Sequence, residues 1–271
     1  MSNNKPYFNR TRLLLGDDAM TSLETARVII FGVGGVGSWC AEGLVRSGIG
    51  HLTIVDSDRV CITNVNRQMM ATTRTIGMVK VEALKDRLLE INPEADIHTI
   101  QAIYSEETSD DFNLENYDYI VDAIDSLKDK ATLILKATRL KNKFFSSMGA
   151  ALKLDPTRIK VAEFYNVKGC PLARALRQKF KKMHRYPHKK FLCVYSEELL
   201  SNKGKESSCG TDRCVCPKSE HSSGNPDLAN HEWCSSKAVI NGSLMHITSI
   251  FGLTLSGLII KDINERASKI I

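Results

Sequence analysis

No Cys-x-x-Cys pair occurs in this chain, although it carries eight cysteines. The paired-knuckle zinc site is therefore excluded in its usual form. What remains is Cys209, then Cys214-Val215-Cys216, then Cys234, with His221 and His231 nearby. These read first as loop thiols, with Zn²⁺ as the lesser alternative. An apolar leader is also missing, because Met1 to Gly16 is polar. The expectation is a cytoplasmic protein whose thiols stay reduced. No repeat of solenoid length is present. Strong net charge is lacking too: the excess is +6, with a pI near 8.8. That is compatible with an anionic partner but does not choose between a nucleotide and a nucleic acid. Acidic residues are wholly absent from one stretch, Lys168 to Lys190, which holds nine lysines and arginines. Only residues 238–260 form an apolar run of membrane-spanning length. It is interrupted by Asn241, His246 and several Ser and Thr, so a buried or interfacial helix is expected, with membrane contact the lesser alternative.

Residues 28–31 are a β-branched run ending at Gly32, without the alternation of a half-exposed strand, and read as a buried parallel strand. Residues 38–46 read as helix, stopped at Ser47-Gly48-Ile49-Gly50, and 52–55 as a second strand ending at Asp56. Strand, glycine turn, helix and strand within about 30 residues make a βαβ unit. The alternation continues. Val81, Leu84, Leu88 and Ile91 recur at helical spacing up to Asn92-Pro93, strands are expected at 97–100, 119–121 and 143–147, and a helix at 127–140. A later strand is marked by Ile159, Val161 and Phe164. The expected fold class is α/β: a Rossmann-like, doubly wound, mainly parallel sheet with helices on both faces, plus C-terminal strands, a long loop and a terminal apolar helix. One domain is expected over residues 1–271. Its parts are a nucleotide-binding core at 1–165, a basic substrate-binding segment at 166–200, a Cys/Ser/Gly-rich loop at 201–236 and a helical tail at 237–271.

Gly32-Val33-Gly34-Gly35-Val36-Gly37 follows the first strand and opens the first helix of that unit. Gly32 permits the tight turn, Gly34 lets backbone approach phosphate oxygens, and Gly37 lets helix and strand pack closely. The helix N-terminus offers amide donors and a positive dipole end to the anion. Asp56, with Asp58 beside it, stands where a carboxylate can bond a ribose. This fingerprint does not choose between NAD and ATP. The choice comes from Asn64-Val65-Asn66-Arg67-Gln68, from Lys80, and from Asp122 and Asp125 after the 119–121 strand. All belong at the carboxyl edge of one sheet, where open α/β folds bind ligands. Arg67 and Lys80 suit a triphosphate losing pyrophosphate, and Asp125 suits Mg²⁺. Taken singly, Lys80 reads as a solvated helix lysine and Asp125 as a helix cap. The combination reads as a site for ATP.

With these residues in view, the chain resembles the adenylating superfamily of ubiquitin-activating enzymes and their bacterial relatives. Within it, the chain is most similar to the tRNA threonylcarbamoyladenosine dehydratase family. The resemblance runs over about residues 8–195, through RVIIFGVGGVGSWCAEGLVRSGIGHLTIVDSDRV, ITNVNRQ, GMVKVE, INPE and YIVDAIDS, then SSMGAALKLDPTRIKVAEF and CPLARALR. The first motifs are shared by the whole superfamily; DAIDS, KLDPT and PLA mark the dehydratase branch. The resemblance implies that Gly32, Gly34, Gly35 and Gly37 line the ATP phosphates, that Asp56 binds ribose, and that Asn64, Arg67, Gln68 and Lys80 grip the triphosphate. It also implies Mg²⁺ on Asp125, a homodimer with Arg10 contributed across its interface, and tRNA as partner. A sulfur-relay partner remains open. The implied reaction is ATP-dependent cyclisation of the threonylcarbamoyl side chain of an adenosine next to the anticodon, through a carboxyl-adenylate.

The alternative is adenylation of the C-terminus of a ubiquitin-like or sulfur-carrier protein. Such relatives often hold zinc with two Cys-x-x-Cys pairs, which this chain lacks. Cys234 stands roughly where some dehydratases carry a cysteine, so it is retained as a candidate nucleophile. The run from Lys168 to Lys190 reads as a footprint for tRNA phosphates, with His184 and Tyr186 as weak candidates for base stacking. Against this, Leu172, Leu176 and Phe180 would suit an ordinary amphipathic helix.

Overall fold

The computed structural model describes residues 5–204, 228 and 241–269. Cys209, Cys214, Cys216 and Cys234, and with them the zinc and nucleophile readings, lie outside the described residues. Two short helices, α1 (Asn9–Leu15) and α2 (Asp17–Thr25), lead into β1 (Arg27–Phe31), α3 (Gly37–Arg46) and β2 (His51–Val55). Then come α4 (Lys80–Leu89), β3 (Asp96–Ile100), β4 (Tyr119–Asp122), α5 (Leu127–Ala137) and β5 (Lys143–Ser147). The described chain closes with β6 (Ile159–Glu163), α6 (Pro171–Met183), β7 (Leu192–Ser196) and α7 (Met245–Ala267).

The strands form one sheet in the order β3-β2-β1-β4-β5-β7-β6. All neighbours are parallel except β6 and β7. The expected doubly wound, mainly parallel sheet is what the chain forms. β1 is an interior strand, between β2 and β4, with Val28, Ile29, Ile30 and Phe31 all buried, as a strand covered on both faces requires. Alternate residues serve opposite cores. Val28 and Ile30 join Leu44, Ile54 and Leu84, whereas Ile29 and Phe31 join Ile120, Phe144 and Phe180. The order reverses between β1 and β4, and the carboxyl ends at that switch point carry the glycine turn on one side and Asp122 on the other.

The sheet continues beyond residue 165. β7, from the basic segment, inserts between β5 and β6; its apolar Phe191-Leu192-Cys193-Val194-Tyr195 run lies directly after Lys189-Lys190, which masks it. α1 and α2 carried no periodic signal, and α5 stops at Ala137, short of the Leu140 expected. α6 is the amphipathic helix that the four-residue spacing allowed. Ala173, Leu176 and Phe180 are buried, while Leu172 is half-buried.

The C-terminal apolar run is α7, long and apolar enough to cross a membrane by length and composition alone, with half of its apolar window buried inside the protein. Ile247, Phe251, Leu255, Ile259 and Ile263 recur every fourth residue and enter the same core as β1 and α3. α7 lies along α3, which carries the glycine turn. Small residues permit this approach. A Cβ on Gly252 would lie 2.3 Å from the Val36 carbonyl oxygen, and one on Gly43 would lie 2.5 Å from Ser256 Oγ. Gly252→Ala is expected to cost about 1–3 kcal/mol of stability through overpacking, read as a lowered urea midpoint; an unchanged midpoint would contradict this packing.

Candidate active site

β1 delivers the chain to Gly32, whose φ of +83° a side chain rarely adopts. Gly32 N–H donates to the Val55 carbonyl at 2.8 Å, holding the turn to the end of β2. A Cβ on Gly37 would lie 1.8 Å from Gly32 O, so helix and turn meet without room for a side chain. Gly34 differs. The nearest atom to a Cβ there is Gln68 Nε2 at 3.7 Å. The protein itself does not demand glycine at 34, which leaves the backbone there open to the approach of a ligand. α3 has no side-chain cap at its N-terminus; Ser38 N–H donates to Gly34 O at 3.2 Å, and the positive dipole end of the helix suits an anion.

Asp56 ties this turn to the segments beyond β2. Its Oδ2 accepts from Val33 N–H at 2.8 Å and its Oδ1 from Asp58 N–H at 2.9 Å. The chain then pairs back on itself: Val60 N–H donates to Met78 O, Gly77 N–H to Val60 O and Lys80 N–H to Asp58 O. That pairing puts Lys80, first residue of α4, beside the acids. Its Nζ lies 2.7 Å from Asp58 Oδ2 and 3.7 Å from Asp56 Oδ1. Lys80 is buried. Burial alone would lower its pKa, yet Asp56, Asp58 and Asp125 hold the ammonium above its ordinary value. Burial pushes Asp56 up, against the pull of Lys80. Lys80 is therefore a fixed positive charge at the carboxyl edge, not the solvated helix lysine that its position alone suggests.

The loop from Asn64 to Gln68 closes over the turn. Trp39 Nε1 donates to Arg67 O at 3.0 Å, and Ser38 Oγ donates to Gly34 O at 2.6 Å while accepting from Met69 N–H at 3.2 Å. Asn66 Nδ2 reaches Ser243 O at 2.9 Å, tying the loop to the start of α7. Arg67 Nη1 rests on Thr63 O and Asn66 Oδ1 at 2.8 and 3.0 Å. Gln68 is buried beside Gly34, and its Oε1 has no hydrogen-bond partner. A buried amide oxygen left unmatched at this spot fits a ligand that brings a donor.

Gly32, Gly34, Gly35, Gly37, Asp56, Asp58, Arg67, Gln68, Lys80 and Asp125 thus gather at one rim. Two expectations need correcting. Asp122 is wholly buried and its carboxylate is engaged inside the protein by Lys130, Ser146 and Ile124 N–H, so it is no open ligand for a nucleotide. Asn64 is buried with its Oδ1 taken by Cys61 N–H at 3.0 Å, building the loop from within. Arg10, expected to act across a dimer interface, does not reach the turn of its own chain. Its helix lies at the opposite edge, where Tyr7 OH meets Asn92 and Lys5 meets Glu94. Ser38, Trp39, Ser243 and Lys130 were not legible as site residues, because each acts through a neighbour brought close only by folding. A hollow near Arg27, His51 and His98 also lies at that far edge, and the site does not include it.

Among the described residues, no cluster of three or more His, Cys, Asp or Glu forms a closed metal cage. Asp125 is an exposed carboxylate close enough to Lys80 to help hold it charged. That donor set fits Mg²⁺, which binds through one or two carboxylates together with substrate phosphates.

Fold and rim together define an adenylate-forming α/β protein, and comparison with known proteins agrees. Residues 8–266 match the ThiF family. The tRNA threonylcarbamoyladenosine dehydratase of Bacillus subtilis is 41% identical over 175 residues, covering 65% of this chain and 69% of that protein. That of Haemophilus influenzae is 36% identical over 216 residues, covering 78% and 83%. The crystal structure of the E. coli tRNA N6-threonylcarbamoyladenosine dehydratase TcdA in complex with ATP superposes with a TM-score of 0.80 at 28% identity, covering 99% of both chains. The chain belongs to the ThiF family and, within it, to the tRNA threonylcarbamoyladenosine dehydratases.

The different spaces at the glycines make a test. Gly34→Ala is expected to fold with an unchanged melting temperature yet bind ATP about tenfold more weakly by calorimetry. Wild-type affinity in that variant would remove phosphate from the neighbourhood of Gly34.

Proposed function

We propose that this chain uses ATP to cyclise the threonylcarbamoyl side chain of a tRNA adenosine beside the anticodon, with net loss of water, in the cytoplasm. The observation that carries the chemistry is Lys80, a buried ammonium held charged at the mouth of the glycine turn. A carboxylate is a poor electrophile, and adenylation gives it a good leaving group. A substrate carboxylate oxygen attacks the α-phosphorus of ATP, the bond to the β-phosphate oxygen breaks, and pyrophosphate departs. A nucleophilic atom of the same side chain then attacks the acyl carbon and loses its proton as AMP leaves. Ring closure is intramolecular, so it gains from effective molarity and needs no covalent enzyme intermediate.

In this reading the amides of the turn and the N-terminus of α3 cradle the phosphates, Asp56 orients the ribose, and Gln68 Oε1 accepts a donor from the bound ligand. Lys80 and Arg67 neutralise charge that gathers on the departing pyrophosphate. Three carboxylates around one lysine would repel a triphosphate. Mg²⁺, held by Asp125 and the phosphates, would reconcile the charges.

The solvent side of α6 suits tRNA. Arg174, Lys181, Lys182 and Arg185 are exposed, with Tyr186 beside them, while the helix's apolar face is inside the protein. Arg10 fits a role in a second copy, since α1 also exposes Leu13 and Leu14 at 79% and 83%, an apolar pair that a homodimer would cover.

Pyrophosphate exchange into ATP tests the core of this reading. It is expected to require tRNA bearing the threonylcarbamoyl group and to fall about a hundredfold or more in Arg67→Ala and in Lys80→Ala. Exchange that persists in both, or that needs a carrier protein ending in Gly-Gly instead, would overturn it. Lys181→Glu with Lys182→Glu is expected to weaken tRNA binding at every sequence and to lower the salt slope by about two. An unchanged slope in a filter-binding titration would remove α6 from the tRNA footprint.

A further inference from the structure

Lys130 has no exposed surface and stands apart from the rim residues described above. It lies in the first turn of α5, just after Ser126, which caps that helix. A lone ammonium in such a place would be neutralised or expelled. Here Nζ lies 2.8 Å from Asp122 Oδ2 and donates to the Ile124 carbonyl at 2.8 Å. Asp122, equally buried, accepts on Oδ1 from Ile124 N–H at 3.1 Å and on Oδ2 from Ser146 Oγ at 2.7 Å. A single residue, Ile124, is thus gripped at both of its backbone polar groups. Asp122 takes the N–H and Lys130 takes the C=O. The next residue is Asp125. The preceding peptide packs on the glycine turn itself, since a Cβ on Gly32 would lie 2.8 Å from Ala123 O.

As a source of stability, this arrangement is a poor choice. A buried ion pair loses solvation on both partners, and apolar residues of similar volume often do as well or better. An apolar pair, however, has no way to hold an amide and a carbonyl of an irregular turn. We infer that Lys130 is a positioning residue for adenylation: with Asp122 it locks the 122–125 turn, so that the Asp125 carboxylate stays at the rim beside Lys80. Lys130 acts through Asp125 and touches neither nucleotide nor substrate. The inference rests on the role given to Asp125 under the proposed function.

The test uses the full chain with Lys130→Met, with the pair Asp122→Asn/Lys130→Met, which strands no charge, and with Asp125→Ala as reference. Pyrophosphate exchange with tRNA is measured across ATP and Mg²⁺ titrations, and amide hydrogen exchange is followed for residues 120–127. In the doubly substituted protein kcat is expected to fall about tenfold or more, the Mg²⁺ needed for half-maximal rate to rise by a similar factor, and KM for ATP to stay within about threefold. Amide exchange should quicken at 122–126 and stay unchanged in β1 and α7. A lowered melting temperature with faster exchange across the whole sheet and an unchanged kcat would make the pair a plain stability element and overturn the inference, as would failure of both Lys130 variants to fold. Wild-type kcat, Mg²⁺ dependence and local exchange would do the same. If Asp125→Ala itself keeps wild-type kcat and Mg²⁺ dependence, the role of Asp125 fails first, and the inference falls with it.

Discussion

The carboxylate of Asp56 is the tie on which the rest of the rim depends. It joins the glycine turn through Val33 N–H, the exit of β2 through Asp58 N–H, and the head of α4 through Lys80. These three segments are far apart in sequence. They meet because β1 and β2 are parallel neighbours that end at the same edge, and because the 58–60 strip pairs back with 77–80. Burial makes both charges costly singly, so Asp56 and Lys80 each justify the other. The outcome is a buried, fixed positive charge at the carboxyl edge of the sheet, the kind of preorganised group that the proposed reaction requires.

Around that tie the protein is built to keep the turn rigid. Ser38, through Met69 N–H, and Trp39, through Arg67 O, bind the 64–69 segment to the start of α3. From the far end of the chain, α7 presses on α3 through Gly252 and Gly43 and reaches the turn with Thr248, 3.2 Å from where a Cβ on Gly35 would sit. The C-terminal helix therefore belongs to the same hydrophobic core as β1 and α3, the elements that flank the glycine turn. Its apolar composition, which by itself permits a membrane span, serves a helix-helix contact behind the active rim.

Much of this was legible in the residues alone, for physical reasons. The buried parallel strands announce themselves because Val28 to Phe31 and Leu52 to Val55 lack polar alternation. The glycine turn is legible because Gly32 and Gly37 are sterically required and Gly34 leaves a gap. Lys80 and Arg67 were found as charges near that edge. What stayed hidden was partnership. Asp122 and Asp125 look alike in the Asp-Ala-Ile-Asp stretch, but the first is consumed by Lys130 and Ser146 within the core and only the second is exposed. Asn64 reads as a ligand and proves to be a loop cap. β7 escaped because its apolar run abuts lysines, and α1 and α2 because short helices carry little periodicity.

In the proposed reaction this rim activates a carboxylate by joining it to AMP. The most direct measurement supplies tRNA whose threonylcarbamoyl carboxylate is labelled with ¹⁸O and analyses the nucleotide products by mass spectrometry. Attack of the carboxylate on the α-phosphorus, then ring closure, leaves one labelled oxygen on AMP and none on pyrophosphate. Unlabelled AMP, or ADP with labelled inorganic phosphate, would contradict it.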